Sequence, residues 1–191
     1  MAPIGQKRKL GTFIVLIGDF NPKIFQPVWF SREGLIKKQD EEDSKIEIIR
    51  PELVSIDFEW MKLQVTRDRF QVSTFQDPYI EPMRDLVIVT FQILSHTPIR
   101  MLGVNSEIHY LMPNETVWHG LGDTLAPKEL WKNFLVNPGL STMTMEGKRD
   151  DGYNGHIYVK VGPSSEVKPG VVISVNDHIE IMKGEESSVH G

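Results

Sequence analysis

Residues 99–111 alternate between apolar side chains and polar or small ones, and this pattern limits the fold more than any other feature of the sequence. Leu102, Val104 and Ile108 fall on one parity, whereas Asn105 and Glu107 fall on the other. A period of two predicts a β-strand with one apolar face and one polar face. Such a strand is typical of an antiparallel sheet that buries one side and leaves the other in water.

Six further segments are predicted as strands. They are residues 12–20, 53–66, 69–75, 140–148, 156–161 and 171–181. Within the second of these segments the apolar positions change parity at Trp60 and Met61, which predicts a bulge or bend there. Arg67 and Asp68 predict a tight turn into the third segment. The short connections between the last three segments predict antiparallel pairing.

The longest predicted helix covers residues 80–95, where apolar side chains recur at helical spacing. We expect it to be the main helix of the core. A shorter region, residues 21–34, contains Pro22, Pro27 and a closing Gly34. Proline at a helix start and glycine at its end predict two short helical turns in this region.

Two further short helices are expected to pack on the sheet. Asn114 is expected to cap a helix through about residue 121, and Pro127 to open one through about residue 135. Residues 37–45 contain no apolar side chain and predict a loop. Strands at both ends of the chain and helices between them predict an α+β fold: an antiparallel sheet of about seven strands with three or four helices packed mainly on one face.

A chain of 191 residues is long enough to bury a core of its own. We expect one domain over residues 1–183 and a flexible polar tail over residues 184–191. Residues 13–17 are apolar and follow three basic residues, as in a signal peptide, but the run is short and no cleavage site follows, so we interpret it as a buried strand. No stretch approaches the roughly 18 apolar residues of a membrane span. We therefore expect a cytoplasmic protein without a membrane partner.

Charge and cysteine content exclude several classes of function. The chain has 21 Lys and Arg residues against 26 Asp and Glu residues, a net charge of −5, which disfavours nucleic acid as a partner. It contains no cysteine, which excludes disulfides, thiolate nucleophiles and iron–sulfur clusters. No glycine-rich phosphate loop follows a predicted strand, and no serine stands in a nucleophile elbow. We therefore assign no catalytic residue and no cofactor.

The polar parity of two strands carries carboxylate–imidazole pairs. Glu107 and His109 share one face of one strand, and His178 and Glu180 share one face of another. If those strands were neighbours, the four side chains could form a ligand set for zinc or a non-haem metal. A metal-dependent hydrolase is therefore one alternative function, and a solvated sheet face is the simpler interpretation.

Aromatic residues are concentrated between positions 20 and 30. Phe25, Trp29 and Phe30 either close one end of the sheet or form an anchor for a partner, since buried aromatic side chains dominate interface energetics. With Arg67 and Arg69, the rings of Trp29 and Phe30 also suggest a second alternative, a single-stranded nucleic-acid binder.

Four segments carry a resemblance to known sequences: residues 20–30, 63–74 (LQVTRDRFQVST), 124–135 (TLAPKELWKNFL) and 175–178 (VNDH). In these segments the chain resembles an uncharacterised family of small bacterial proteins of unknown function. The shared motifs are turn prolines, a hairpin and a helix start. The resemblance implies a bacterial, cytoplasmic, accessory protein, and it assigns no catalytic residue.

Together these observations predict a non-catalytic protein-interaction or assembly module of a bacterial cytoplasmic system. A sheet of about seven strands has edges and a face that another protein, or a second copy of the chain, can cover. The metal-dependent hydrolase and the single-stranded nucleic-acid binder stay open as alternatives.

Overall fold

The structure is a computed structural model, and it describes residues 5–181. Nine strands form within this range: β1 (Gln6–Gly18), β2 (Lys45–Arg50), β3 (Leu53–Phe58), β4 (Met61–Thr66), β5 (Arg69–Thr74), β6 (Ile99–Leu111), β7 (Met143–Lys148), β8 (Gly155–Pro163) and β9 (Gly170–Glu180). They pair in one antiparallel sheet in the order β2-β3-β4-β5-β1-β6-β9-β8-β7. The predicted α+β class and antiparallel sheet are confirmed.

Four α-helices lie between the strands of the described range: α1 (Pro27–Arg32), α2 (Lys38–Asp43), α3 (Ile80–Ile93) and α4 (Glu115–Leu125). Three single 3₁₀ turns accompany them, at Pro22–Ile24, Asp77–Tyr79 and Lys128–Leu130. None of these helices is long and apolar enough to cross a membrane. The predicted flexible tail, residues 184–191, lies outside the described residues.

The strand count of seven was wrong because one predicted strand is two strands and another strand was not predicted. Residues 53–66 form the hairpin of β3 and β4, in which Phe58 pairs with Met61. The change of parity at Trp60 therefore marks a two-residue turn and not a bulge. After such a turn the chain runs back along itself, so that Ile56 and Leu63 lie opposite each other on the same face.

The predicted loop over residues 37–45 is also wrong, because residues 38–43 form α2. The Asp40 carboxylate accepts a hydrogen bond from the Lys37 N–H at 2.8 Å, which satisfies one free donor at the helix start. Lys38 pairs with Glu41 at 2.7 Å and Gln39 with Asp43 at 2.7 Å, so side-chain pairs at helical spacing stabilise a helix that has no apolar face.

Strand β2 forms one edge of the sheet, and all its residues are exposed. Its register against β3 shifts between Ile46 and Ile48, which leaves Glu47 as the extra residue of a bulge. The Glu47 carboxylate accepts hydrogen bonds from the Ser55 hydroxyl at 2.7 Å and the Lys62 ammonium at 2.8 Å. These bonds hold the bulge against the sheet.

The central strand β1 is longer than predicted because its basic N-terminal part also pairs. Ile14 and Leu16 are buried, as expected for residues 13–17. Lys7 pairs with Asp77 at 2.5 Å and Lys9 with Glu166 at 2.8 Å. The three basic residues that imitate a signal peptide are thus strand residues, and Lys7 and Lys9 have acidic partners.

The turns and helices that surround the core agree with their proline, asparagine and glycine signals. The Asn21 side chain accepts a hydrogen bond from the Lys23 N–H at the start of the first 3₁₀ turn, Pro27 begins α1, and Gly34 has a φ of 71°. Asn114 caps α4 through the Val117 N–H at 2.9 Å. The helix expected after Pro127 is only a 3₁₀ turn.

The hydrophobic core lies between helices α1 and α3 and one face of strands β3, β4, β5 and β1. Its centre is a cluster of rings, in which the centroids of Phe25 and Phe70 are 5.3 Å apart and those of Phe70 and Phe91 are 5.0 Å apart. Phe30 is fully buried beside Phe58. The core therefore occupies one half of the sheet, on strands β1, β3, β4 and β5.

Truncating Phe30 tests this core. We expect Phe30→Ala to lower the free energy of unfolding by about 3–5 kcal/mol, since it removes a buried ring and leaves a cavity. Val28→Ala, in the same helix but 57% exposed, should change it by less than about 0.5 kcal/mol. Urea denaturation followed by circular dichroism measures both, and equal losses for the two variants would contradict the assignment.

Candidate interaction surface

One face of the sheet is mainly apolar, but helices cover only half of it. In β1 the residue Ile14 is buried, whereas its cross-strand partner Val104 on β6 is 39% exposed. The boundary between the covered and uncovered halves therefore runs between these two strands. We call the uncovered half the open face. It consists of Val104 and Ile108 on β6, Ile173, Val175 and Ile179 on β9, Ile157, Val159 and Val161 on β8, and Met143 and Met145 on β7. Leu102 on β6 lies at its border and packs against the core.

Alternation along the strands produces the open face. Cross-strand partners in register lie on the same side of the sheet, and the register joins Ile108 to Ile173 and Ile173 to Val161. Most of these side chains are half-buried by their neighbours within the sheet, and Met145 on the edge strand is 60% exposed. Four adjacent strands thus present aliphatic and methionine side chains without a covering layer.

Helix α3 carries a second exposed apolar strip. On one flank of the helix, Phe91 packs against Phe20, Phe25 and Phe70. Val89 and Ile93 are each two positions from Phe91, about 200° around the helix, and both are exposed. The flank that turns away from the ring cluster is therefore apolar and uncovered.

Helix α4 and residues 126–142 reach the sheet only at one end of the open face. There they enclose a cleft of about 720 Å³, whose floor includes Val161, Pro163 and Val171 and whose wall includes Trp118 and Leu121. The volume falls within the range of about 300–1,000 Å³ that is usual for ligand clefts. The cleft is apolar, and its cations are paired: Lys128 with Asp123 at 2.9 Å and Lys132 with Glu129 at 3.0 Å.

Residues 130–136, which we call the apolar segment, project from this region. The sequence predicts that they form a helix packed on the sheet, but the 3₁₀ turn ends at Leu130 and the side chains that follow are exposed. Phe134 is 81% exposed and Val136 is 93% exposed. Large apolar side chains grouped on a surface mark interaction sites more often than they mark ordinary surface.

Asp177 is the one charged strand residue on the open face, and it is paired. The Arg149 guanidinium, just beyond β7, donates hydrogen bonds to the carboxylates of Asp177 and Asp151. These bonds to Arg149 hold the pKa of Asp151 below its ordinary value. Arg149 is itself almost completely buried. One guanidinium thus serves two carboxylates, so each carboxylate has a partner and the group of three keeps one negative charge.

The opposite face of β6 to β9 holds the side chains proposed as metal ligands, but the two pairs lie apart. Glu107 pairs with Ser174 in the β6–β9 register, whereas His178 pairs with Gly103 and Glu180 with Met101. Four positions along a strand correspond to about 13 Å. Within residues 5–181, no three histidine or acidic side chains come together where they would hold a metal ion. The convergence that the metal alternative requires is absent from this register.

His109 has a structural role that alternation alone did not reveal. It lies on the polar parity of β6 but is only 2% exposed, because residues 164–169, the loop between β8 and β9, fold over it. Its Nδ1 is 2.8 Å from the Ser164 Oγ, and its Nε2 is 2.8 Å from the Glu107 Oε1. Glu107, His109 and Ser164 thus form a continuous chain of hydrogen bonds.

This chain resembles a nucleophilic triad in composition but not in chemistry. The Ser164 Oγ accepts hydrogen bonds from the N–H groups of Glu166 and Val167 at 3.0 and 3.1 Å, which fill both of its lone pairs. Its hydroxyl hydrogen is then donated to His109 Nδ1, and the Nε2–H is donated to Glu107. A nucleophile needs a free lone pair and access to substrate, and Ser164 is only 6% exposed. The chain holds the loop on β6, and we call it the polar lock.

A salt bridge at the rim stabilises the same loop. Lys9 on β1 pairs with Glu166 at 2.8 Å. The hydrogen bond from Lys9 and its positive charge hold the pKa of Glu166 below its ordinary value. The sequence contained a signal for this arrangement, a serine two and three residues before the N–H groups that it caps, within a loop bounded by Pro163 and Gly170.

The aromatic residues proposed as a partner anchor belong to the core. Phe25 and Phe30 are buried, and Trp29 packs against them from a half-buried position. The partner-anchor hypothesis is wrong for Phe25 and Phe30, because neither presents surface to a partner, and the core-closing interpretation agrees with their burial. For the same reason Phe30 cannot stack on a base beside Arg67 and Arg69, as the nucleic-acid alternative requires.

Neither a protein-family model nor a curated protein matches this chain.

Removing the Ser164 hydroxyl tests the polar lock. We expect Ser164→Ala to lower the free energy of unfolding by about 1–3 kcal/mol, since it leaves buried groups without a hydrogen-bond partner. Ser165→Ala, at the exposed neighbouring position, is the matched control and should have a smaller effect. Urea unfolding curves compare the two, and indistinguishable curves would show that the lock contributes no stability.

The Lys9–Glu166 pair predicts a pH dependence. Because the folded-state pKa of Glu166 is lowered, the pair stabilises the fold above the unfolded pKa of about 4.3, and the contribution is lost as the pH falls through the folded value. We expect Glu166→Gln to lower stability at pH 7 and the difference from wild type to vanish at low pH. The same substitution in a Lys9→Met background is the control. A difference that persists there or grows on acidification would contradict the pairing.

Proposed function

We propose that the chain is a non-catalytic protein-interaction module that binds a protein through the open face and the neighbouring apolar segment. The observation that carries this proposal is the continuity of the apolar face across β1 and β6, with Ile14 buried and its partner Val104 exposed. These two adjacent residues of the same face differ in burial because the layer of helices covers Ile14 and does not extend over Val104. Apolar surface of this extent is stabilised by removal from water, and a docking partner would remove it.

The character of the surface supports a protein as the partner. Protein interfaces have an apolar centre depleted of charge and enriched in aromatic residues and methionine. The open face supplies aliphatic side chains with Met143 and Met145, and the apolar segment supplies Trp131 and Phe134. A nucleic-acid groove would need a basic track, but the strands of the open face contribute no net positive charge. Residence in the bacterial cytoplasm, expected from the family resemblance, stays a prediction.

Site-specific photo-crosslinking in the native cells tests this proposal. A benzophenone side chain placed at position 104 lies on the open face, and the same group at position 101 lies on the opposite face of the same strand. Val104 and Met101 are 39% and 38% exposed, so the two positions are matched in accessibility. We expect a discrete crosslinked protein product from position 104 and none from position 101.

A second probe at position 134 should give the same product, because Phe134 belongs to the apolar segment. Equal products from positions 101 and 104 would mean non-specific contact. No product from positions 104 and 134 would overturn the proposed function.

A further inference from the structure

The charge, shape and size of the open face indicate which protein binds to it. This step rests on the proposed function. We infer that the open face binds a second copy of the same chain, with two open faces packed against each other around a twofold axis. Such an interface uses one patch twice, so the patch must be complementary to itself.

Charge satisfies this condition. A patch that carries net charge repels its own copy, and like charges at an interface are costly. On the open face the single strand charge, Asp177, is already paired with Arg149 of the same copy. Most of the net charge of −5 therefore lies elsewhere, and acidic residues such as Glu107, Glu146 and Glu180 belong to the opposite face. Two copies can meet through their open faces without unpaired charges between them.

The shape of the open face is also compatible with binding to a second open face. The open face is a surface of four adjacent strands, and two such surfaces pack by interdigitating their side chains at a separation of about 10 Å. Helices α1 and α3 already cover the other half of the same face as a second layer. A second copy would complete the layer that this chain provides for only half of its sheet.

The size is sufficient for a specific contact. Four strands over about seven residues correspond to roughly 400–500 Å² of projected area per copy. Pairing would bury on the order of 1,000 Å² in total, which is the lower limit for a specific interface. This projected area leaves out the additional surface of side chains that protrude from each sheet. The apolar segment lies at one margin of the open face, where Leu135 and Val161 line the same cleft, and adds to this area.

Sedimentation equilibrium of the full chain tests the inference. We expect a mass that rises with concentration toward twice 21.9 kDa. Val104→Glu should weaken association by at least about tenfold, because it places an unpaired charge at the centre of the interface. Met101→Glu, on the opposite face of the same strand at equal exposure, should leave association unchanged.

Met145→Glu gives an independent test at an exposed position on the edge strand β7, where a folding defect is not expected. Circular dichroism shows that each variant is folded. A wild-type mass of 21.9 kDa at all concentrations, or equal weakening by Val104→Glu and Met101→Glu, would overturn the inference. If the product crosslinked at position 104 contains a different protein and the chain alone is monomeric, the second copy is wrong and the proposed function stands. If no product forms at all, both fail.

Discussion

The ladder between β1 and β6 joins the two halves of the molecule. These are the longest strands of the described sheet, at 13 residues each, and they pair from Gln6 with Leu111 to Gly18 with Ile99. On one side of the ladder, the apolar face is sealed by helices and a cluster of phenylalanine rings. On the other side the same face continues uncovered. The ladder thus attaches a surface that has no core of its own to the half of the sheet that has one.

Much of the fold could be predicted from the sequence, because hairpin turns, capping residues and helical periodicity are local signals. Helix α3 and strand β6 were predicted almost to the residue. The errors arose where a local pattern has two physical solutions. A change of parity accompanies a bulge and also a two-residue turn, and the β3–β4 hairpin uses the turn. Strand β2 was missed because its bulge at Glu47 breaks the alternation of its isoleucines.

The candidate site was harder to predict, because alternation identifies an apolar face but not what covers it. Val104 and Ile14 have the same pattern in the sequence, and only the position of the helices separates them. His109 shows the reverse effect: a polar-face residue is buried by a loop that begins 55 residues later in the chain. The apolar segment was expected to pack as a helix, since composition predicts burial but cannot reveal that the helix ends after one turn.

The bulge at Glu47 has a consequence for how copies of this chain can meet. An open sheet of nine strands exposes backbone N–H and C=O groups at β2, and a flat edge of that kind would add strands from other molecules without limit. The bulge twists this border and places a carboxylate, anchored by Ser55 and Lys62, among its isoleucines. Addition of strands from other molecules is therefore disfavoured at this edge of the sheet. The face-to-face pairing inferred above would close after two copies, and it does not use this edge.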